Sequence, residues 1–238
     1  MTASASQTPS LRVLTYNVHG LHDDRRALAA VVRAAAPDIA IVQEAPRRFR
    51  WRTKCAELAH SWGMVYAAGG LPALGNLIVT TQRVRVRQTW CIRYPLTPGR
   101  HLRGAVFARC SITGSDGDEV SFVVAGTHLA TDDAERPGQA RAFAEAARAI
   151  TDPVIVGLDA NETPGGPSWA LVADGRTDAA LACADDRPTF PSAHPARRLD
   201  AVFVDPRWTV TGYEAIATAS AVAASDHLPV LVQVRPGA

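Results

Sequence analysis

Polar breaks divide the chain into short apolar runs, and the period of each run predicts an element. LRVLTYNV, residues 11–18, is rich in β-formers and ends on the polar Asn17, which predicts a strand. DDRRALAAVVRAAAPD has helical spacing, with Asp23 or Asp24 placed to cap its start and Pro37 to stop it. IAIVQE reads as a buried strand ending in polar residues, and ALGNLIVT, RVRVRQTWCIR, RGAVFARCSI and VSFVVAGTHL read as four more. The last two are separated by TGSDGDE, a hairpin-like turn. The stretch DAERPGQARAFAEAARAI is helical after its Pro and Gly. PVIVGLD is a strand, and GPSWALVAD opens a short helix with Pro167 near its first turn. RLDAVFVD, WTVTGYEAI and LPVLVQV close the chain as strands. Strands outnumber helices, and turns often join adjacent strands. A mixed β-sandwich with helices outside therefore fits better than a doubly wound parallel sheet.

Composition narrows this only a little. At 238 residues, with 47% hydrophobic and 20% charged residues, the chain suits one globular domain with a sizeable core. No repeat or long linker divides it, so one domain is expected over residues 11–236, preceded by a short polar tail at residues 1–10, MTASASQTPS. That tail lacks a basic region followed by an apolar stretch, no apolar run is long enough to span a bilayer, and a cytoplasmic location follows by default. Cys55, Cys91, Cys110 and Cys183 are far apart and form no CxxC pair, which reads as thiols in a reducing compartment; two disulfides are the alternative, which a chain of this size does not require. A net charge of +2 gives no broad field for an obligate nucleic-acid binder, though local patches can still act.

The strand ends carry the chemistry. Apolar runs finish in Asn17, in Gln43 and Glu44, in Thr127 and His128, and in Asp159 and Asn161; Asp200 lies within RRLDAVFV, and Asp226 and His227 precede the final strand. Taken singly, each has a structural reading. Asn17 suits a turn cap, His128 a satisfied structural histidine, Asp159 and Asn161 a loop start, and Asp226 and His227 a turn. Glu44 and Asp200 follow or interrupt apolar runs, where a lone carboxylate is costly unless paired or bound to metal. The ordered set carries more weight than any member.

The strings TYNVHG, VQE, GN, THL, GLDANETP, RRLDAVFV and SDHLPV, taken in this order from about Leu11 to Val234, resemble the motifs of the endonuclease/exonuclease/phosphatase superfamily. That group includes pancreatic deoxyribonuclease, abasic-site endonucleases, neutral sphingomyelinases and inositol polyphosphate 5-phosphatases. The resemblance implies a four-layer α/β/β/α sandwich of two mixed sheets and divalent-metal-dependent hydrolysis of phosphoesters. Under it, Glu44 is the leading ligand for Mg²⁺ or Mn²⁺, with Asn17 and Asp226 completing or bordering the shell. Asp159 would orient or deprotonate the attacking water, and Asn161 would donate to the phosphate or the nucleophile. His227 would contact the scissile phosphate while Asp200 holds its ring, and a carboxylate there favours the imidazolium. His128 would be a second phosphate-facing donor and a candidate acid for the leaving oxygen. Asn76 and Arg103 fall where family members carry polar residues facing the site; a surface ion pair is the competing reading for Arg103. His19 is left out of the set, on a loop that can point away. Zinc is the rival metal, but neither HExxH nor a cysteine cluster is present.

Two departures bear on the branch. The common GDFN string appears as GLDAN, with Asp-x-Asn kept, and RLDAVFV lacks the Trp and Tyr that mark abasic-site endonucleases. The chain looks closer to the deoxyribonuclease-like and sphingomyelinase-like branches. RRFRWRTK, directly after the Gln-Glu pair, suits either a phosphate-gripping, base-stacking patch or the basic start of a surface helix, and the helix is the preferred reading. RVRVR puts Arg83, Arg85 and Arg87 on one strand face and valines on the other. No insertion is evident to grip a duplex or dock on lipid. The expectation is a compact, monomeric phosphodiesterase acting on a nucleic acid, a nucleotide or a lipid headgroup; the alternative is an inactive binding or scaffold member of the same fold.

Overall fold

The computed structural model describes residues 10–114 and 117–237. All but one residue of the expected N-terminal tail, and the tip of the 113–119 turn, lie outside the described residues. Twelve strands and six helices follow in the order β1 (Leu11–Asn17), α1 (Arg25–Ala35), β2 (Ile39–Gln43), α2 (Trp51–Ser61), β3 (Val65–Gly69), β4 (Leu77–Thr80), β5 (Arg85–Arg93), β6 (Gly104–Thr113), β7 (Glu119–His128), α3 (Arg136–Arg148), β8 (Val154–Asp159), α4 (Pro167–Ala173), β9 (Thr177–Asp178), α5 (Ala179–Ala182), β10 (Asp200–Val204), β11 (Trp208–Ala215), α6 (Ala219–Ala224) and β12 (Val230–Pro236).

The strands form two six-stranded sheets, ordered β11-β12-β1-β2-β4-β3 and β5-β6-β7-β8-β10-β9. Both are mixed: β1 runs parallel to β2, and β7 parallel to β8, among antiparallel neighbours. Three apolar layers hold the molecule together. Between the sheets lie Val13, Ile41, Val106, Phe122, Val124, Ile155, Val202 and Val232. Leu28, Val32, Leu58 and Ala221 of α1, α2 and α6 cover Leu14, Tyr16 and Val42 on the outer face of the first sheet. Phe143, Trp169 and Val172 of α3 and α4 cover Phe107, Val156 and Phe203 on the second. This is the four-layer α/β/β/α sandwich, and it follows from strand periodicity: alternate residues face opposite sides, and here both sides are buried.

Local details refine the elements. Asp24 caps α1, accepting from the backbone N–H groups of Arg26 and Ala27, and Ala36 ends it in a left-handed conformation just before Pro37. α3 begins earlier than the sequence predicts, because Pro137 fits the first turn, where its missing N–H costs nothing. RVRVR does not form one alternating face. Arg83 precedes β5 and pairs with Asp38 at 3.0 Å, a bulge falls between Val86 and Gln88, and Val86 is exposed on this edge strand. The four cysteines are free thiols.

Candidate active site

Strand parity and register build the site. In the second sheet His128 pairs with Asp159 across β7–β8, and Asp159 with Asp200 across β8–β10, so the three stand in one row. Each belongs to the parity of its strand that faces the other sheet, in line with the inter-sheet residues Val124, Ile155 and Val202. In the first sheet Asn17, paired with Gln43 at the end of β1, faces them. The sheets can close behind this row because two glycines leave room: a Cβ on Gly126 would lie 2.6 Å from Ile41 Cγ2, and one on Gly157 2.7 Å from Ile41 Cδ1. Asn17 Nδ2 thereby reaches across the sandwich to donate to Asp159 Oδ2 at 2.8 Å.

Asp159 is the hub, 1% exposed. Its Oδ1 accepts from the Asn161 backbone N–H at 2.9 Å, and its Oδ2 lies 3.2 Å from His128 Nε2 and 3.7 Å from His227 Nε2. Burial opposes its ionisation, but the two imidazoles and the Asn17 amide outweigh burial and hold the carboxyl well below the usual range. Beside it, His227 Nδ1 donates to Asp200 Oδ2 at 2.9 Å, and Phe190 packs against the imidazole at 4.7 Å between centroids. Burial alone would lower His227, yet Asp200 and then Asp159 push it up to about 10, so the ring is an imidazolium at neutral pH. Burial raises Asp200, partly offset by that same imidazolium and by the Thr189 hydroxyl, which donates to it at 2.6 Å.

His128 differs. Arg103 Nη1 approaches its Nδ1 at 2.7 Å, and a guanidinium can only donate. Nδ1 therefore accepts, and the hydrogen resides on Nε2, facing Asp159. Asn161 Nδ2 donates to the Leu129 carbonyl at 2.9 Å. Both ring nitrogens of His128 are engaged, and the Asn161 amide binds the chain next to it, so both residues hold Asp159 in place in this arrangement. Among the described residues Arg103 makes no surface ion pair; burial lowers the guanidinium's pKa, while Asp159 and Glu44 support its charge.

On the other side the site is open. Glu44 falls one residue beyond β2 in a left-handed conformation, φ 57°, uncommon for a residue with a side chain. Its carboxylate is 36% exposed, and its one side-chain hydrogen bond among the described residues is a long 3.4 Å contact from Asn17 Nδ2. Asp226 is likewise partly exposed, with His19 Nδ1 3.9 Å away. Asn17 Oδ1 accepts from the His19 backbone N–H at 3.0 Å. Two under-partnered carboxylates and an amide oxygen are the hard-oxygen donor types that a divalent cation takes. The group Asp159, Asp200 and His227 also brings potential ligand atoms within 4.8 Å of one another, but there His227 Nδ1 is taken up by Asp200 and its Nε2 faces Asp159.

Of the ten sequence-predicted residues, hydrogen bonds or ion pairs join Asn17, Glu44, Arg103, His128, Asp159, Asn161 (through its backbone N–H), Asp200 and His227 in one network. Asp226 flanks it through Ser225, whose hydroxyl donates to the Asn17 carbonyl at 2.7 Å. Asn76 stands apart: it is buried, and its Nδ2 donates to the carbonyls of Ala73 and Gly104 at 2.9 Å each. It fixes the backbone beside Arg103 rather than facing the cleft. Sequence reasoning missed three residues. His19 lies beside Asp226, and its place in TYNVHG was the available signal. Thr189 and Phe190 support the Asp200–His227 pair from a loop with no pattern of its own.

The model of the Endonuclease/Exonuclease/phosphatase family matches residues 14–227. The chain belongs to that family. Solved structures agree on the fold. A family member from Bacteroides vulgatus aligns with a TM-score of 0.77 at 17% identity, covering 96% of this chain and 99% of that one. The human Nocturnin catalytic domain with bound sulfate aligns at 0.74 and 19%, covering 98% and 96%. A mannosyl-6-phosphatase from Bacteroides thetaiotaomicron aligns at 0.74 and 16%, covering 94% and 99%. No curated protein matches the chain by sequence. The family is one of hydrolases acting on phosphoester bonds. Among the described residues no helix is long and apolar enough to cross a membrane.

Proposed function

We propose that this family member is a Mg²⁺- or Mn²⁺-dependent phosphoesterase, most simply a phosphodiesterase, working at the cleft around Asp159. The observation that carries the reading is the buried Asp159 beside the His227–Asp200 pair, tied through the Asn17 amide, which donates to both, to the under-partnered Glu44. Phosphoester hydrolysis needs an aligned water and fixed positive charge at the phosphoryl oxygens. Asp159 accepts a hydrogen bond from the water and aligns it on phosphorus. Its low proton affinity suits alignment more than full deprotonation. His227, with Nδ1–H held by Asp200, turns its Nε2–H toward a phosphoryl oxygen. Asn17, His128 and the Asn161 backbone keep the Asp159 carboxylate from rotating. Glu44, Asp226 and the Asn17 oxygen would hold the metal, whose chemistry there is charge neutralisation and polarisation of the phosphoryl group.

The test is release of nitrophenol from bis-(4-nitrophenyl) phosphate. The expected result is turnover that requires Mg²⁺ or Mn²⁺, stops with chelator, and is lost in Glu44→Ala, Asp159→Ala and His227→Ala variants that keep their circular dichroism. Unchanged turnover in all three variants would overturn the assignment.

A further inference from the structure

Beyond Glu44 the cleft continues into a groove of about 750 Å³. Glu44 and His128 of the site line it together with Arg25, Arg47, Arg48 and Lys54, and Glu57 is its other acidic residue. Among the described residues these four cations make no ion pair, whereas Arg83, Arg100, Arg109 and Arg148 elsewhere each hold a carboxylate. Arg47 is fixed in position by donating to the Leu74 carbonyl at 3.1 Å. Four unpaired cations around one concavity repel one another, and an anion would relieve that repulsion. The volume falls within the range of small-molecule sites, about 300–1,000 Å³. The net charge of only +2 does not provide the broad field that a polymer backbone exploits.

We infer that this groove binds a second phosphate of the substrate, so that the protein acts on small molecules carrying two or more phosphates. One phosphoester lies at Asp159, and another phosphate is held by Arg47, Arg48 and Lys54. This deepens the phosphoesterase reading and rests on it for the reacting bond, but the binding claim can be tested without turnover.

Lys54 is the chain's only lysine among 25 Lys and Arg residues, which makes it a specific reporter. In metal-free buffer, tripolyphosphate should slow labelling of Lys54 by an amine-reactive ester at least about fivefold relative to sodium chloride of equal ionic strength. Peptide mapping separates Lys54 from the chain's amino terminus. The protection should vanish in an Arg47→Ala/Arg48→Ala double variant. Absence of protection, or protection by a single-stranded oligonucleotide but not by tripolyphosphate, overturns the proposal. The kinetic arm compares thymidine 5′-nitrophenyl phosphate with its 3′-phosphorylated counterpart. The extra phosphate should raise kcat/KM roughly tenfold, mainly through KM, as one charge-assisted contact would. That advantage should disappear in Arg48→Ala and Lys54→Ala. A ratio near one, or a ratio that survives both substitutions, overturns it. Failure to hydrolyse either compound would refute the phosphoesterase reading instead and leave the groove to the labelling result.

Discussion

The two sides of the cleft are built on opposite principles. On the Asp200–His227 side the groups are buried and bonded to one another, with only Asp200 Oδ1 of that carboxylate lacking a partner among the described residues: Thr189 donates to Asp200, Asp200 accepts from His227, and Phe190 covers the ring. On the Glu44–Asp226 side the carboxylates are partly exposed, and their contacts are long. The closed side is rigid and sets its own charges by burial and hydrogen bonds. The open side leaves carboxylate oxygens available, as the proposed metal site requires. The difference implies that substitutions on the closed side change both structure and chemistry, whereas those on the open side change metal dependence with little effect on the fold.

The largest effect should come where the two sides meet. Asp159→Asn removes the charge that aligns the water, and turnover of a nitrophenyl phosphodiester should fall about 10²–10⁴-fold. A smaller loss would move the role of Asp159 to another group. Next, Glu44→Gln should raise the Mg²⁺ or Mn²⁺ concentration for half-maximal activity by at least about tenfold. Its stability should stay within about 0.5 kcal/mol of the parent, as for an exposed site. A large loss of stability would show that the open side is structural after all. Gly157→Ala attacks the close approach of the sheets. Its new Cβ would meet Ile41 Cδ1 at 2.7 Å, so urea denaturation should show a loss of about 1–3 kcal/mol, partly restored by Ile41→Val. Thr189→Val should cost about 1–3 kcal/mol by leaving Asp200 short of a donor. A separate effect is one of pH. Folding raises His227 from its ordinary 6.5 to about 10, so its contribution to stability is complete below about pH 6.5 and is lost as pH rises through 10. In chelator, the melting temperature should therefore decline between those values, and His227→Gln should remove that part of the decline. An equal slope in parent and variant would contradict the ion pair.

How much of this was legible along the chain depended on period. The runs that became β1, β2, β7, β8 and β10 show their strand character in β-branched residues. The polar residue closing each run marks where a buried strand leaves the core. Elements without such a pattern were not legible. β3, with sequence VYAAG, and the short α6, ASAVAA, have too few patterned positions to declare themselves, and packing against neighbours decides them. RRFRWRTK suited two readings. The structure makes Trp51 the first residue of α2, as the helix reading expects, and it also turns Arg47, Arg48 and Lys54 into the groove.

The sequence by itself determined the alternation that buries both faces of the central strands, and the residue types able to handle water, phosphate and a hard cation. It also fixed the order in which those residues occur. Only the tertiary structure decided which groups satisfy one another. That His128 accepts from Arg103, that Asn76 supports the backbone beside that arginine, and that Thr189 holds Asp200 all depend on atoms brought together from distant strands and loops. Hydrogen bonds act over about 3 Å, and chain position does not report such proximity between residues far apart in sequence. Protonation states follow the same rule, because burial and neighbouring charge, which set them, exist only after the two sheets have closed over Gly126 and Gly157.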